Sequence, residues 1–219
     1  VQTCALPISL PLPGVAHSCV RGSRAQSLAL AALLVTHRAV GTWRRRVDAW
    51  IVLTAFQREL VVRGGVPARR VRVVPNFLDP DPGAGTGPRE GVLFVGRLAP
   101  EKGVGTLVAA AALAPGIVRV AGAGPLDALV AAAAGAGTLT ALGRLDGEAV
   151  RAAMRSAAAV VVPSTSFEGF PMVVAEAYAS GTPVIASRIG SLAEIVEDGI
   201  SGLLVDPGDA AGLADRLRR

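Results

Sequence analysis

Lysine is almost missing from this chain. Lys102 is the sole example, and the other 21 cationic side chains are arginine. Surface charge is therefore met with Arg, and a lone compact ammonium on a flexible stem marks a spot of the kind phosphate sites favour. Aromatic residues make up only 4%. No stacking platform accompanies the arginines, which argues against nucleic acid as a partner. There are two cysteines, Cys4 and Cys19. They have neither metal-ligand spacing nor the look of a disulfide framework, so a reducing compartment is the default. The two histidines, His17 and His37, form no cluster. His37 falls among apolar residues of a helical stretch and reads as structural. The longest apolar run of the early chain, Leu28 to Val35, is far shorter than the roughly 20 residues that span a bilayer.

What is present is unevenly distributed. Residues 1–75 hold eleven arginines against two acids, a net +9. Residues 76–219 hold ten arginines and Lys102 against fifteen acids, a net −4. A basic part joined to an acidic part suggests two units with different partners. The basic part fits an anionic membrane face or a phosphate-bearing acceptor, and equally a solvated Arg-rich surface. At 219 residues the chain can bury roughly 70% of its unfolded surface without disulfide staples.

Apolar periodicity predicts a helix over 23–41, a buried strand over 48–54, a helix from Thr54 or Ala55 to the Gly64-Gly65 stop, and a strand over 71–74. Residues 79–90, rich in Pro, Gly and Asp, read as a linker. Strands and helices then alternate. Strands are expected at 92–95, 117–121, 138–142, 158–162, 184–187 and 203–205. Helices are expected at 104–113, 126–134, 148–155, 172–179 and 210–217. Such βα alternation builds a parallel sheet covered by helices, with ligands at the carboxyl ends of the strands.

The most informative stretch is Glu168-Gly169-Phe170-Pro171-Met172, leading to Glu176. Pro171 suits a first helical turn, where its missing N–H costs nothing. The free N–H groups and positive end of that helix would face Glu168 and Gly169, an anion site beside a carboxylate able to accept from hydroxyls. A nucleotide sugar, which carries both phosphate and hydroxyls, fits. Gly96-Arg97, Gly122-Ala123-Gly124, Gly143-Arg144 and Ser164 to Glu168 each directly follow an expected strand, so these signals converge on one sheet edge.

With those residues in view, the chain resembles the C-terminal half of a GT-B glycosyltransferase, in particular family 4 of the retaining enzymes. The resemblance rests on Glu168-x7-Glu176 after Pro163-Ser164, on Gly96-Arg97-Leu98-Ala99-Pro100-Glu101-Lys102-Gly103, on Ala121-Gly122-Ala123-Gly124-Pro125, and on Gly181-Thr182-Pro183 through Ala193-Glu194-Ile195-Val196 to Pro207. It is close from Asp48 onward and looser over 19–47. It implies an α/β, Rossmann-like parallel sheet with helices on both faces (residues 91–219), and a fragment of the N-terminal domain (15–78). Residues 1–14 do not fit the pattern, and are expected to be a non-native or disordered leader.

The resemblance further implies transfer of a sugar from a nucleoside diphosphate sugar to an unknown acceptor, such as a cell-envelope glycan, lipid or small molecule. It implies no cofactor and no metal; Asp79-Pro80-Asp81 lies in the linker. Arg97 and Lys102 would hold the diphosphate, Glu168 would act at the donor sugar, and Glu176 would bind the ribose. Gly96, Gly122, Gly124, Gly143, Arg144, Gly169, Phe170, Pro171 and Met172 would complete the donor site. Each has a plainer reading: Arg97 and Lys102 as a surface pair near Glu101, Gly143 as a turn, Glu176 as a solvated helix residue. The active site of such an enzyme lies between two domains, so this chain alone is expected to bind donor and transfer little sugar. The expected place is cytoplasmic, with peripheral contact on the inner membrane face. A non-catalytic nucleotide-sugar-binding module, a glycogen-synthase-like polymerase and a sugar-nucleotide epimerase of the same fold are the rival functions.

Overall fold

The computed structural model describes residues 11–79, 81 and 83–219. The chain divides into two units, one ending at Pro75 and the other running from Asn76 to Arg219.

The first unit contains α1 (Leu12–Ala16), α2 (Arg24–Ala39), α3 (Thr42–Arg45), β1 (Trp50–Val52), α4 (Ala55–Arg63) and β2 (Val71–Val73). Ser23 caps α2 by accepting from Gln26 N, and Thr54 caps α4 by accepting from Gln57 N. β1 and β2 pair in parallel over a small core of Val52, Val66 and Val71. α1 falls at the end of the stretch expected to be a leader, and residues 1–10 lie outside the described residues. α3 was not expected, because four residues carry no periodic signal. Gly41, in the left-handed conformation, turns the chain into it. His37 Nδ1 lies 3.0 Å from Thr42 Oγ1, and its ring packs on Trp43, in keeping with a structural histidine. Cys19 lies between α1 and α2, and Cys4 lies outside the described residues.

The second unit is a six-stranded, all-parallel sheet. Its strands are β3 (Val92–Val95), β4 (Val118–Ala121), β5 (Thr140–Gly143), β6 (Ala159–Val162), β7 (Val184–Ser187) and β8 (Gly202–Val205), in the spatial order β5-β4-β3-β6-β7-β8. Strand alternation sends side chains to two faces. Val92, Phe94, Val118 and Val120 pack against α5 (Val104–Leu113), α6 (Asp127–Gly135) and α10 (Ala210–Arg218). Leu93, Val160, Val162 and Val184 pack against α7 (Gly147–Arg155), α8 (Met172–Ala179) and α9 (Gly190–Ile195). Fully buried Leu93, Leu107, Met154 and Leu213 each contribute about 1.5–3 kcal/mol of apolar burial.

The order reverses between β3 and β6, and at this point the pairing is incomplete. Val92 pairs with Ala159 and Leu93 with Val160, and there it stops. β3 and β4, by contrast, pair over all four residues. The pairing of the two central strands thus ends before their carboxyl ends, at the point where a doubly wound sheet takes its ligands.

Residues 83–90, read above as a linker, are fastened to the second unit. Gly85 N donates to Ser180 O at 3.1 Å and Glu90 N to Ser156 O at 2.8 Å. The Arg89 guanidinium donates to Thr182 Oγ1 at 2.5 Å and to Ser180 O at 3.0 Å. Composition signalled a connector because Gly and Pro disfavour helix and strand, yet such a segment can still be strapped down by side-chain hydrogen bonds. Arg89→Ala is expected to lower the stability of this unit by about 1–2 kcal/mol, the worth of a charge-assisted contact of partial exposure. Urea unfolding would check it, and an unchanged midpoint would count against the clamp.

Candidate functional site

Two loops pack back to back at the carboxyl end of β3 and β4. Gly96 N donates to Ala121 O and Leu98 N to Ala123 O, both at 3.0 Å, while Leu126 N donates to Leu98 O at 2.9 Å. A Cβ on Gly122 would collide with the Gly96 carbonyl, and one on Gly124 with the Leu98 backbone, 2.6 Å from its carbonyl oxygen. These glycines are thus required for loop-to-loop packing, whatever else they touch. Gly122 also lines a cavity of about 330 Å³ with Gly96, Arg97, Ala123, Arg144 and Leu145. Gly143, at φ 66° with open space around it, makes the turn after β5 and accepts from Gly122 N at 2.8 Å.

The second group of residues lies where β3 and β6 part. Gly103, at φ 71°, starts α5 hard against the Pro163 carbonyl, which leaves no room for a Cβ. That contact brings the end of the Arg97–Lys102 loop beside the loop after β6. Thr165 N then donates to Glu101 O at 3.0 Å. Lys102 Nζ donates to Glu168 Oε2 at 2.7 Å, and the buried Ser164 hydroxyl donates to Glu168 Oε1. Both carboxylate oxygens are thereby occupied, and the Glu168 side chain is only 12% exposed. A charge-assisted pair so shielded is stronger than a surface ion pair. Arg97 differs: it is 64% exposed and 3.4 Å from Glu101. Arg97 thus pairs at the surface with Glu101, while Lys102 pairs with Glu168.

α8 begins at Met172. Pro171 stands just before it as the cap residue, with extended ψ, instead of inside the first turn as expected; its carbonyl accepts from Val174 N at 3.0 Å. No side chain caps this helix, so its first N–H groups are available at its positive end. Glu176 sits one turn further on, half-buried. Burial pushes its carboxyl above the ordinary value, and the charge of Arg151 on α7 partly opposes this. Among the described residues no three His, Cys, Asp or Glu side chains gather as a metal site.

The family model described as "Glycosyl transferases group 1" matches residues 89–219, more than half the chain. The chain belongs to that family. Relatives of this chain include phosphatidyl-myo-inositol mannosyltransferase of Mycobacterium leprae, 37% identical over 136 residues, which cover 58% of this chain and 36% of that protein. Another is the D-inositol 3-phosphate glycosyltransferase of Mycolicibacterium vanbaalenii, 40% identical over 149 residues, covering 58% and 33%. A third is the glycogen synthase of Mycobacterium tuberculosis, 35% identical over 196 residues, covering 82% and 47%. The chain spans between a third and a half of the length of these relatives. Among solved structures, sucrose-phosphate synthase from Thermosynechococcus elongatus superposes with a TM-score of 0.69 at 32% identity, over 78% of this chain and 48% of that one. Anabaena HepE in complex with UDP-glucose superposes with a TM-score of 0.71 at 23% identity, over 90% and 58%, which speaks to fold alone. These neighbours place the second unit as part of a GT-B glycosyltransferase fold.

In this member of the group 1 family, Lys102 and Glu168 come into direct contact, while Gly96, Arg97, Gly122 and Arg144 share one cavity. The Glu176 carboxylate makes no hydrogen bond or ion pair among the described residues, while its backbone carbonyl accepts from Ser180 N at 3.0 Å. Sequence reasoning passed over Ser164 as a partner of Glu168, although Pro163-Ser164 had been picked out. It also passed over Asn76, whose Nδ2 donates to Phe170 O at 2.9 Å across 94 residues. No local pattern could have revealed a contact of that separation.

Proposed function

We propose that the chain is the donor-binding part of a retaining, family 4 glycosyltransferase that moves a sugar from a nucleoside diphosphate sugar to an acceptor. The observation that carries this is the shielded Lys102–Glu168 pair at the crevice between β3 and β6. Departure of the diphosphate builds negative charge, which preset positive groups must meet. In our reading Lys102 and Arg97 meet it, with no metal and no cofactor, and the uncapped start of α8 faces the donor phosphate or sugar. Glu168, held by Ser164, orients the sugar hydroxyls or supports positive charge at the anomeric carbon. Glu176 accepts from the ribose hydroxyls. Gly96, Gly122, Gly124, Gly143 and Arg144 frame the nucleoside, and Gly169, Phe170, Pro171 and Met172 the sugar side. The acceptor belongs to the basic first unit, whose charge suits a phosphate-bearing molecule or an anionic membrane face, consistent with a cytoplasmic, peripheral enzyme.

Calorimetric titration with UDP-, GDP- and ADP-glucose tests the donor site. Saturable binding of at least one is expected, and failure of all three at millimolar concentration would remove the reading. The anomeric configuration of a product, read by NMR, tests retention. Donor binding without turnover, even when the chain is joined to a complete N-terminal domain, would favour the non-catalytic module instead.

The carboxyl of Glu176 adds a pH test. Burial raises its pKa in the free protein. Hydrogen bonds from the ribose would favour the charged form and pull that pKa down on binding. Binding then releases a proton, so affinity for UDP-glucose should rise as pH climbs from the ordinary carboxylate value through the raised one, and level off above it. UDP-glucose is the right ligand because its diphosphate does not titrate there. Glu176→Gln should flatten the profile; an identical slope in the variant would show that another group is responsible.

A further inference from the structure

We propose that Asn76 is a positioning residue for the donor loop, setting the backbone of Gly169-Phe170-Pro171 and with it the reach of Glu168 toward the donor sugar. The inference rests on the reading of Glu168 as a ligand of that sugar. The loop from Ser164 to Pro171 joins β6 to α8. On its first side it is well held, by Thr165 N on Glu101 O and by Ser164 on Glu168. On its far side the Phe170–Pro171 peptide has no N–H to give, since Pro171 lacks one. Only the Phe170 carbonyl can fasten it, and Asn76 Nδ2 donates to that carbonyl at 2.9 Å.

The place of Asn76 in the chain gives the contact its meaning. It is the first residue of the second unit, and Pro75 before it closes the first. The side chain at this junction thus holds the one loop that carries Glu168. Bare nucleotide, in contrast, leans on Glu176, Arg97 and Lys102, none of which bonds Asn76. Losing the tie should therefore tell on the sugar more than on the nucleotide.

The test compares UDP and UDP-glucose by calorimetry on the 219-residue chain and its Asn76 variants. Asn76→Ala is expected to weaken UDP-glucose about tenfold, the worth of a single hydrogen bond at its upper range, and UDP less than about twofold. Asn76→Asp keeps the shape, removes the donor and sets an oxygen against the Phe170 carbonyl, so it should fail to rescue. Hydrogen exchange read by mass spectrometry should speed up several-fold at residues 165–171 and stay unchanged in β6. Equal losses for both ligands with a fallen melting temperature would reduce Asn76 to a general structural role and overturn the proposal. Wild-type affinity for UDP-glucose in both variants would overturn it too. Should the wild-type chain bind neither ligand, the donor-site reading fails, and the exchange result still decides Asn76: an unchanged loop refutes it.

Discussion

Lys102→Ala should weaken UDP binding by roughly 10- to 150-fold, equivalent to about 1.5–3 kcal/mol for loss of a charge-assisted contact. Two effects add. The ammonium that meets the diphosphate is removed, and Glu168, only 12% exposed, is left with an unbalanced negative charge beside the same phosphate. The double variant Lys102→Ala with Glu168→Gln should therefore recover part of the loss. Arg97→Ala should cost less, toward the lower end of that range. Arg97 is 64% exposed and must give up Glu101 before it reaches a ligand. Calorimetry on the three variants separates these effects. Equal losses from Arg97 and Lys102 would contradict the weighting drawn from their burial, and no loss from either would end the diphosphate assignment.

The second large effect separates the two glutamates. Glu176→Ala should reduce affinity for UDP and UDP-glucose alike, by about 1–3 kcal/mol, because its partner in our reading is the ribose common to both. Removing this carboxylate should not unfold the protein, since burial already disfavours its charge. Glu168→Ala should spare UDP, or strengthen it by freeing Lys102, and weaken UDP-glucose. Opposite changes for the two ligands in one variant would be hard to produce by loss of structure. Parallel losses in both variants would collapse the distinction between ribose and sugar roles.

Much of the second unit could be read in advance because it is built from local signals. Val92–Val95 and Val184–Ser187 are short apolar runs set off by Gly and Pro, and the observed strands have those bounds. β5 starts at Thr140, two residues later than expected, because Thr138 lies in the approach to the strand, its carbonyl accepting from Gly116 N. α9 was not anticipated, for six residues give too few turns for a period. The site was legible as far as motifs reach: Lys102 and Glu168, 66 residues apart, lie in two of them and meet. The Ser164 and Asn76 contacts depend on side-chain direction and on chain paths no periodicity encodes. Arg89 was invisible for the same reason, as its partners lie near residues 180 and 182.

The pairing of β3 with β6 ends after two residues, at the change of direction in the sheet order. The groups at the carboxyl ends of the strands are loop residues, exposed like Arg97 and Arg144 or held by a few named bonds, while the sheet is secured by the buried side chains on its two faces. Variation at this end should therefore fall on exposed side chains such as Arg97 and Arg144, while Gly103, Gly122 and Gly124, which leave no room for a Cβ, bind the same loops to the fold and should resist change.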